Sequence, residues 1–411
     1  MRRHSFVAAP SILQTTPRMV ECNRVIFMES NVLLVRAERA PLAGVADPGP
    51  HQIYRNPIVT VETRELGALH PDEMRVAMIY AGVCGTDTHV VQTNPATGYI
   101  RCSAPLRIPP GGRVIGHEGV GRVLATGTHV RHVKPGACVT FESIIVCHYC
   151  DACRRGCFNQ CRRARLLGLE KDGLFGTVVD VPSLLSHDVT ALAGSEAGLR
   201  AAACLEPAGV AYVACQNTRV SGGDRVVIFG AGPIGLFAAM LCKLVFGAAE
   251  VHVVEPVPLR RELARRWSDR TYAVEEFFAE PVRAIDVVLE AAGEMSNVSR
   301  VFRRLNANGR VALLGRSGAA LSLDAVDHMI TNQILLVGSR GHLGGAFANI
   351  LSLYGKGRFP LDAVVTGTVV GLEGLRDVLR APEQLAREQC KLLVRMPGTA
   401  AAKTRRARPT K

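Results

Sequence analysis

The stretch 226–235 constrains this chain more than any other. Val226, Val227, Ile228 and Phe229 form a β-branched and aromatic run, too short for a helix and typical of a buried strand. Gly230, Ala231, Gly232, Pro233, Ile234 and Gly235 follow at once, and an apolar helical pattern runs over about 236–246. Strand, G-x-G-x-x-G and helix in that order are the dinucleotide-binding fingerprint. Gly230 makes the tight turn, Gly232 lets the backbone approach a pyrophosphate, and Gly235 lets helix and strand pack closely. The helix N-terminus then offers free N–H groups to the phosphates. A second strand over 250–254 ends in Glu255, twenty residues past Gly235, where an acid binds the adenosine ribose diol. A carboxylate there repels a 2′-phosphate, so NAD is favoured over NADP, although Arg260 and Arg261 close by could accept a phosphate.

Helical and strand patterns keep alternating after Glu255. A helix is expected over 259–267, strands over 286–290, 310–314 and 334–337, and a helix near 299–305 that leads to a turn at Asn308 and Gly309. That alternation predicts a parallel, doubly wound sheet. The beginning of the chain reads differently. Short strands are expected at 24–27, 32–35, 58–62 and 74–80, with a Pro- and Gly-rich loop before residue 58. Helices over 346–354 and 371–379 and a closing strand over 391–395 complete the chain.

Five of the thirteen cysteines fall between positions 147 and 161: Cys147, Cys150, Cys153, Cys157 and Cys161. Thiolates this close converge on a tetrahedral ion with little chain entropy to lose, and four of them close a structural zinc site. Five thiols compete for four places, so one is spare. Arg154, Arg155, Arg162, Arg163 and Arg165 surround the lobe and would offset its negative charge. Two other segments concentrate polar chemistry. Residues 82–89 place Cys84, Thr86, Asp87 and His89 beside two glycines, and residues 116–123 place His117 next to Glu118 in a glycine-rich, strand-like run. By themselves these read as a polar turn with a buried cysteine and as a hydrogen-bonded core histidine. A helix is expected to start at 201–207, where Glu206 precedes Pro207 and reads as an acid in a first turn.

The net charge of +13 raises the question of nucleic acid. Part of the surplus lies in a tail after Pro397 that has no apolar periodicity and reads as disordered, and no aromatic pattern interleaves with the charge. A solvated basic surface fits better, and no nucleic-acid partner is expected. No apolar run is long enough to span a membrane, and the N-terminus makes a poor signal peptide, so a cytoplasmic location is expected.

These pieces, in this order, resemble the zinc-containing alcohol dehydrogenase branch of the medium-chain dehydrogenases over roughly residues 58–396. The most specific marks are the run GHEGVGRVLATGTHV over 116–130 and the four-cysteine lobe. The resemblance implies an α/β protein with a GroES-like, β-rich catalytic domain and a Rossmann domain. The expected division is an extension at 1–22, the catalytic domain at 23–205 with the lobe at 147–161, the Rossmann domain at 206–337, a return to the catalytic domain at 338–396, and the basic tail at 397–411. It implies two zinc ions per chain. The structural one is held by Cys147, Cys150, Cys153 and Cys161, which makes Cys157 the spare. The catalytic one takes Cys84 and His117, with Glu118 as an exchangeable or supporting carboxylate and Glu206 at the third position. Cysteine stands at that third position in dehydrogenases of simple alcohols. Leu205-Glu206-Pro207 is instead similar to the polyol and sugar branch. Cys204 is out of register and is assigned to the core. Thr86 and His89 match the family's proton relay and Asp87 a supporting acid.

The implied reaction is the interconversion of a secondary alcohol and a ketone on a polyhydroxylated small molecule, a sugar, alditol, cyclitol or aminocyclitol of the scyllo-inosamine type. Zinc lowers the pKa of the alcohol, the proton leaves through Thr86 to His89, and a hydride passes to the nicotinamide. The family forms homodimers and homotetramers. Alternatives are a dehydrogenase of simple alcohols, a zinc-free reductase of the same superfamily, and a zinc-ribbon protein that binds nucleic acid.

Overall fold

The computed structural model describes residues 28–281 and 284–397. The expected extension at 1–22, the short strand at 24–27 and the basic tail beyond Pro397 lie outside the described residues. The chain opens with β1 (Met28–Arg39), β2 (Tyr54–Leu66), β3 (Glu73–Gly82), α1 (Gly85–Val91), β4 (Arg113–Val114), β5 (Glu118–Thr126) and β6 (Cys138–Phe141). Next come β7 (Ile144–Ile145), α2 (Asp151–Arg154), β8 (Arg165–Leu166), β9 (Val178–Pro182) and β10 (Ser186–Asp188). β1 is one long strand that pairs antiparallel with β2, and the expected loop shrinks to residues 40–53. A larger sheet runs β10-β6-β5-β3, with β9 also on β3. Leu33, Met74, Val76, Phe141 and Phe175 are fully buried and form its core.

α3 (Glu196–Ala203) and α4 (Leu205–Asn217) lead into the second layer. The expected single helix is two, broken at Cys204. Pro207 has no N–H to donate to the Ala203 carbonyl, and its ring crowds that turn, so a continuous helix is closed off. There follow β11 (Arg225–Phe229), α5 (Pro233–Leu244), β12 (Glu250–Val254), α6 (Pro258–Arg265), β13 (Arg270–Tyr272), α7 (Val274–Ala279), β14 (Ile285–Glu290), α8 (Met295–Val301), β15 (Leu305–Leu313), α9 (Val326–Thr331) and β16 (Leu335–Gly338). These strands form a six-stranded parallel sheet in the order β13-β12-β11-β14-β15-β16. In order of appearance that is 3-2-1-4-5-6, the doubly wound dinucleotide-binding arrangement. Both faces of β11 are buried. Val226 and Ile228 join the cluster that holds Phe237 and Met240 of α5, and Val227 and Phe229 join the one that holds Phe277 and Phe302.

Three expectations shift here. The segment 82–89 is not a plain turn: α1 starts inside it, and Asp87 accepts the backbone N–H of Cys84 at 2.9 Å. α8 begins earlier than expected, because Glu294 caps it by accepting from the N–H of Ser296. The Asn308–Gly309 turn becomes an irregularity within β15, where the pairing with β14 jumps between Ile285 and Val287.

α10 (Ala346–Gly355), β17 (Val365–Val370), α11 (Gly371–Leu379), α12 (Pro382–Glu388) and β18 (Lys391–Arg395) end the described chain. β18 pairs antiparallel with β3 and parallel with β17. The last strand therefore closes the first sheet, and the cleft between the two layers is walled by the beginning, middle and end of the chain. No helix among the described residues is long and apolar enough to cross a membrane.

Candidate active site

The cysteine lobe stands on the hairpin β7–β8, which pins both ends of the loop. Cys150 caps α2, and Cys153 lies inside it. Neighbouring sulfurs lie 3.6 Å apart for Cys150–Cys153, 3.6 Å for Cys147–Cys161 and 4.0 Å for Cys150–Cys161. A tetrahedron with metal–sulfur bonds of about 2.3 Å has edges of about 3.8 Å, so the four thiols fit zinc. Backbone N–H groups point at these sulfurs from Cys150, Cys147 and Arg163, each at 3.4 Å. Such donation, from Cys153 and Arg162, lowers the Cys150 thiol to about 6. Cys157 is exposed and outside the group. Two of the surrounding arginines are turned to other work: Arg155 and Arg162 both pair with Asp151.

The second cluster is assembled from distant segments. The ligand atoms of Cys84, His117 and Glu118 all lie within 4.8 Å of one another. Cys84 stands at the N-cap of α1, Glu118 opens β5, and His117 immediately precedes it. Asp87 holds the two segments together. It is fully buried and accepts from Cys84 N and, at 3.2 Å, from Gly116 N, with its Oδ1 3.7 Å from His117 Nδ1. Glu118 forms an ion pair with Lys391 from β18, and both are buried. Burial opposes the lysine charge, yet the Glu118 carboxylate raises its pKa overall, and Nζ also donates to Val83 O at 2.9 Å. The other Glu118 oxygen is buried without a hydrogen-bond partner. An orphaned acceptor beside a thiol and an imidazole is what a bound cation satisfies, so this donor set fits zinc too.

Glu206 lies outside that group of three but lines the same cleft. Its Oε1 accepts from Ser143 Oγ at 2.9 Å and faces His342 Nδ1 at 3.2 Å, and His342 Nε2 accepts from Ser143 N at 3.0 Å. Burial would raise the Glu206 carboxyl, but His342, aided by His117 and the Ser143 hydroxyl, lowers it to about 2. Thr86 and His89 also line the cleft, with Thr86 Oγ1 3.8 Å from Cys84 Sγ. Burial and then the Arg101 charge lower the His89 pKa. Cys204 is fully buried, as a core residue.

The glycine turn faces the cleft from the other side. Gly230 has φ +95°, and a side chain at Gly235 would strike Gly230 O at 1.9 Å, so both positions require glycine. α5 starts at Pro233 with Gly232 as its cap. Gly232, Pro233, Ile234 and Arg260 line the same cavity of about 430 Å³ as Cys84 and His117. Glu255 sits beneath the turn and accepts from Ala231 N at 2.6 Å and Val257 N at 2.9 Å. Arg260 donates to Gln389 O, and Arg261 to the carbonyls of Glu255 and Pro256.

Sequence reasoning missed Ser143, His342 and Lys391. His342 could have been found from its place after β16, because ligands of such sheets bind beyond the carboxyl ends of the strands. Lys391 gave a weaker signal, as a lone charge at the start of an apolar strand.

Known proteins share this fold. The alcohol dehydrogenase GroES-like domain matches residues 70–191, and the zinc-binding dehydrogenase domain matches residues 233–355. The chain is 30% identical over 331 residues to an L-threonine 3-dehydrogenase of Pyrococcus abyssi, which covers 78% of this chain and 90% of that protein. It is 30% identical over 344 residues to a scyllo-inosose 3-dehydrogenase of Thermotoga maritima, covering 77% and 85%. A solved Thermotoga maritima structure assigned to the alcohol dehydrogenases superposes with TM-score 0.79 at 26% identity, covering 89% of this chain and all of that one. The chain therefore belongs to the zinc-containing alcohol dehydrogenase family of the medium-chain dehydrogenases, in its polyol-dehydrogenase-like branch, and is an oxidoreductase acting on CH–OH donors.

Proposed function

We propose that this enzyme interconverts a secondary alcohol and a ketone on a polyhydroxylated small molecule, a sugar, alditol, cyclitol or aminocyclitol, with NAD. One observation carries the reading: a single cleft is lined by Cys84, His117, Glu118 and Glu206 on one wall and by the glycine turn on the other. When bound, zinc would supply Lewis acidity at the reacting oxygen and the nicotinamide would accept the two electrons. The chain's own residues do the rest. Cys84 and His117 would hold the metal, and Asp87 fixes their relative positions. Glu206, kept ionised by its neighbours, gives the metal wall a carboxylate in place of a thiolate, which suits an oxygen-rich substrate. Thr86 Oγ1 passes the hydroxyl proton to His89, whose lowered pKa keeps the imidazole neutral and ready to accept. A second zinc, held by Cys147, Cys150, Cys153 and Cys161, would be structural.

NAD is preferred because Glu255 would repel a 2′-phosphate, and Arg260 and Arg261 are already engaged with backbone carbonyls. The test is the rate of NADH formation by zinc-replete enzyme against simple alcohols, alditols, aldoses, inositols and aminocyclitols, each with NAD and NADP. Turnover confined to one polyhydroxylated class with NAD is expected. Activity on simple alcohols alone would overturn the reading of Glu206.

A further inference from the structure

Beyond the metal cleft lies a second cavity of about 640 Å³, which shares His89, Ala292 and Arg316 with it. Its basic lining is His51, His89, Arg101 and Arg316, and no aspartate or glutamate takes part. Arg340 stands on the adjoining wall of the cleft. Elsewhere in the fold, three buried or half-buried arginines pair with carboxylates, Arg75 with Asp180, Arg113 with Asp172 and Arg310 with Asp224, whereas Arg101 and Arg316 line the cavity while staying open to solvent. Arg101, Arg316 and Arg340 have no ion pair and no side-chain hydrogen bond among the described residues. His51 Nδ1 is buried and likewise lacks a partner. Partial burial, and then the neighbouring Arg340 charge, lowers the Arg316 pKa. Cations gathered in one concavity without a counter-charge repel each other, and an anion relieves them.

We propose that this cavity binds an anionic substituent of the substrate, of the phosphate-monoester class, while the alcohol end lies in the metal cleft. This rests on the alcohol reading above. Two guanidinium forks and two imidazoles offer more donors than one carboxylate can use, and guanidinium matches phosphate geometry. The dinucleotide's own phosphates are expected elsewhere, at the glycine turn, and no residue of that turn lines this cavity. Arg101 and His51 come from the first layer and Arg316 from the end of β15, so the anion bridges the two walls.

The test is calorimetric titration of zinc-loaded enzyme, saturated with NADH so that the dinucleotide site is filled, with inorganic phosphate and with acetate. The parent is compared with Arg101→Ala, Arg316→Ala and, as a control at an exposed site, Lys356→Ala. Phosphate should bind more tightly than acetate, each arginine variant should weaken it about tenfold, and the control should match the parent. NADH affinity should be unchanged in every variant. Equal phosphate affinity in parent and arginine variants would overturn the proposal. So would acetate binding as well as phosphate, or a parallel loss of NADH affinity in Arg316→Ala. Because turnover plays no part, the titration and the alcohol panel can fail independently of each other.

Discussion

The two candidate metal sites solve the same problem in opposite ways. In the cysteine lobe, four like ligands come from a loop in which Cys147 and Cys161 are 14 residues apart, and backbone N–H groups do most of the supporting. In the cleft, a thiol, an imidazole and carboxylates come from α1, β5 and α4, and each is held by a side chain from somewhere else. Asp87 braces Cys84 and His117, Lys391 arrives from the last strand to meet Glu118, and His342 and Ser143 hold Glu206. A closed site of identical donors serves stability. A mixed donor set that opens on a cavity leaves room for a substrate, and its ligands can be tuned one at a time.

The sharpest way to break this comparison is a pair of cysteine replacements. Cys84→Ala should cut NADH formation on the order of 10³-fold or more while NADH still binds, measured by its fluorescence, and bound zinc should fall to one per chain. Cys153→Ala should do the converse, lowering the thermal midpoint by several degrees while the folded fraction keeps near-parental kcat. If both variants lose turnover equally in the folded state, the two centres are not separate in function. Next in size is Lys391→Met, which strands a buried Glu118. Chemical denaturation should show a loss of about 3–5 kcal/mol, recovered in part by adding Glu118→Gln. No recovery would mean that the lysine serves packing rather than charge. The smallest effect concerns pH. The Glu206 carboxyl lies at about 2 in the fold against an ordinary 4.5. A group depressed on folding adds stability above its unfolded pKa, and that stability fades as pH falls toward the folded value. The thermal-midpoint gap between metal-free parent and Glu206→Gln should be flat from pH 5 to 8 and close below about 4.5. A gap that widens in acid would refute the His342–Glu206 pairing.

The difference between the centres also explains what could be read from the residues alone. The lobe was legible because its chemistry is contiguous. Cys84 and His117 were polar turn and core histidine until their wider pattern resembled a family, since α1 and β5 meet only through the tertiary fold. Lys391 lies 273 residues from Glu118, and no local pattern could link them. Arg101 and Arg316 gave no signal in the sequence, because their convergence on one cavity shows only in three dimensions. The parallel sheet followed from alternating patterns, and the errors gathered at helix ends, where the caps at Asp87 and Glu294 and the stop at Pro207 had been overlooked.

That Lys391 sits on the final strand has a consequence for how the protein is made. A ribosome delivers the lobe, hairpin included, well before β18, and nothing after Leu166 supplies a thiol to it. At about 5–20 residues per second, tens of seconds can separate the two events. Until β18 pairs with β3, Glu118 is a carboxylate without its cation, next to a half-built wall. The lobe can thus close before the wall that holds Glu118 is complete, so that stability precedes the ability to act.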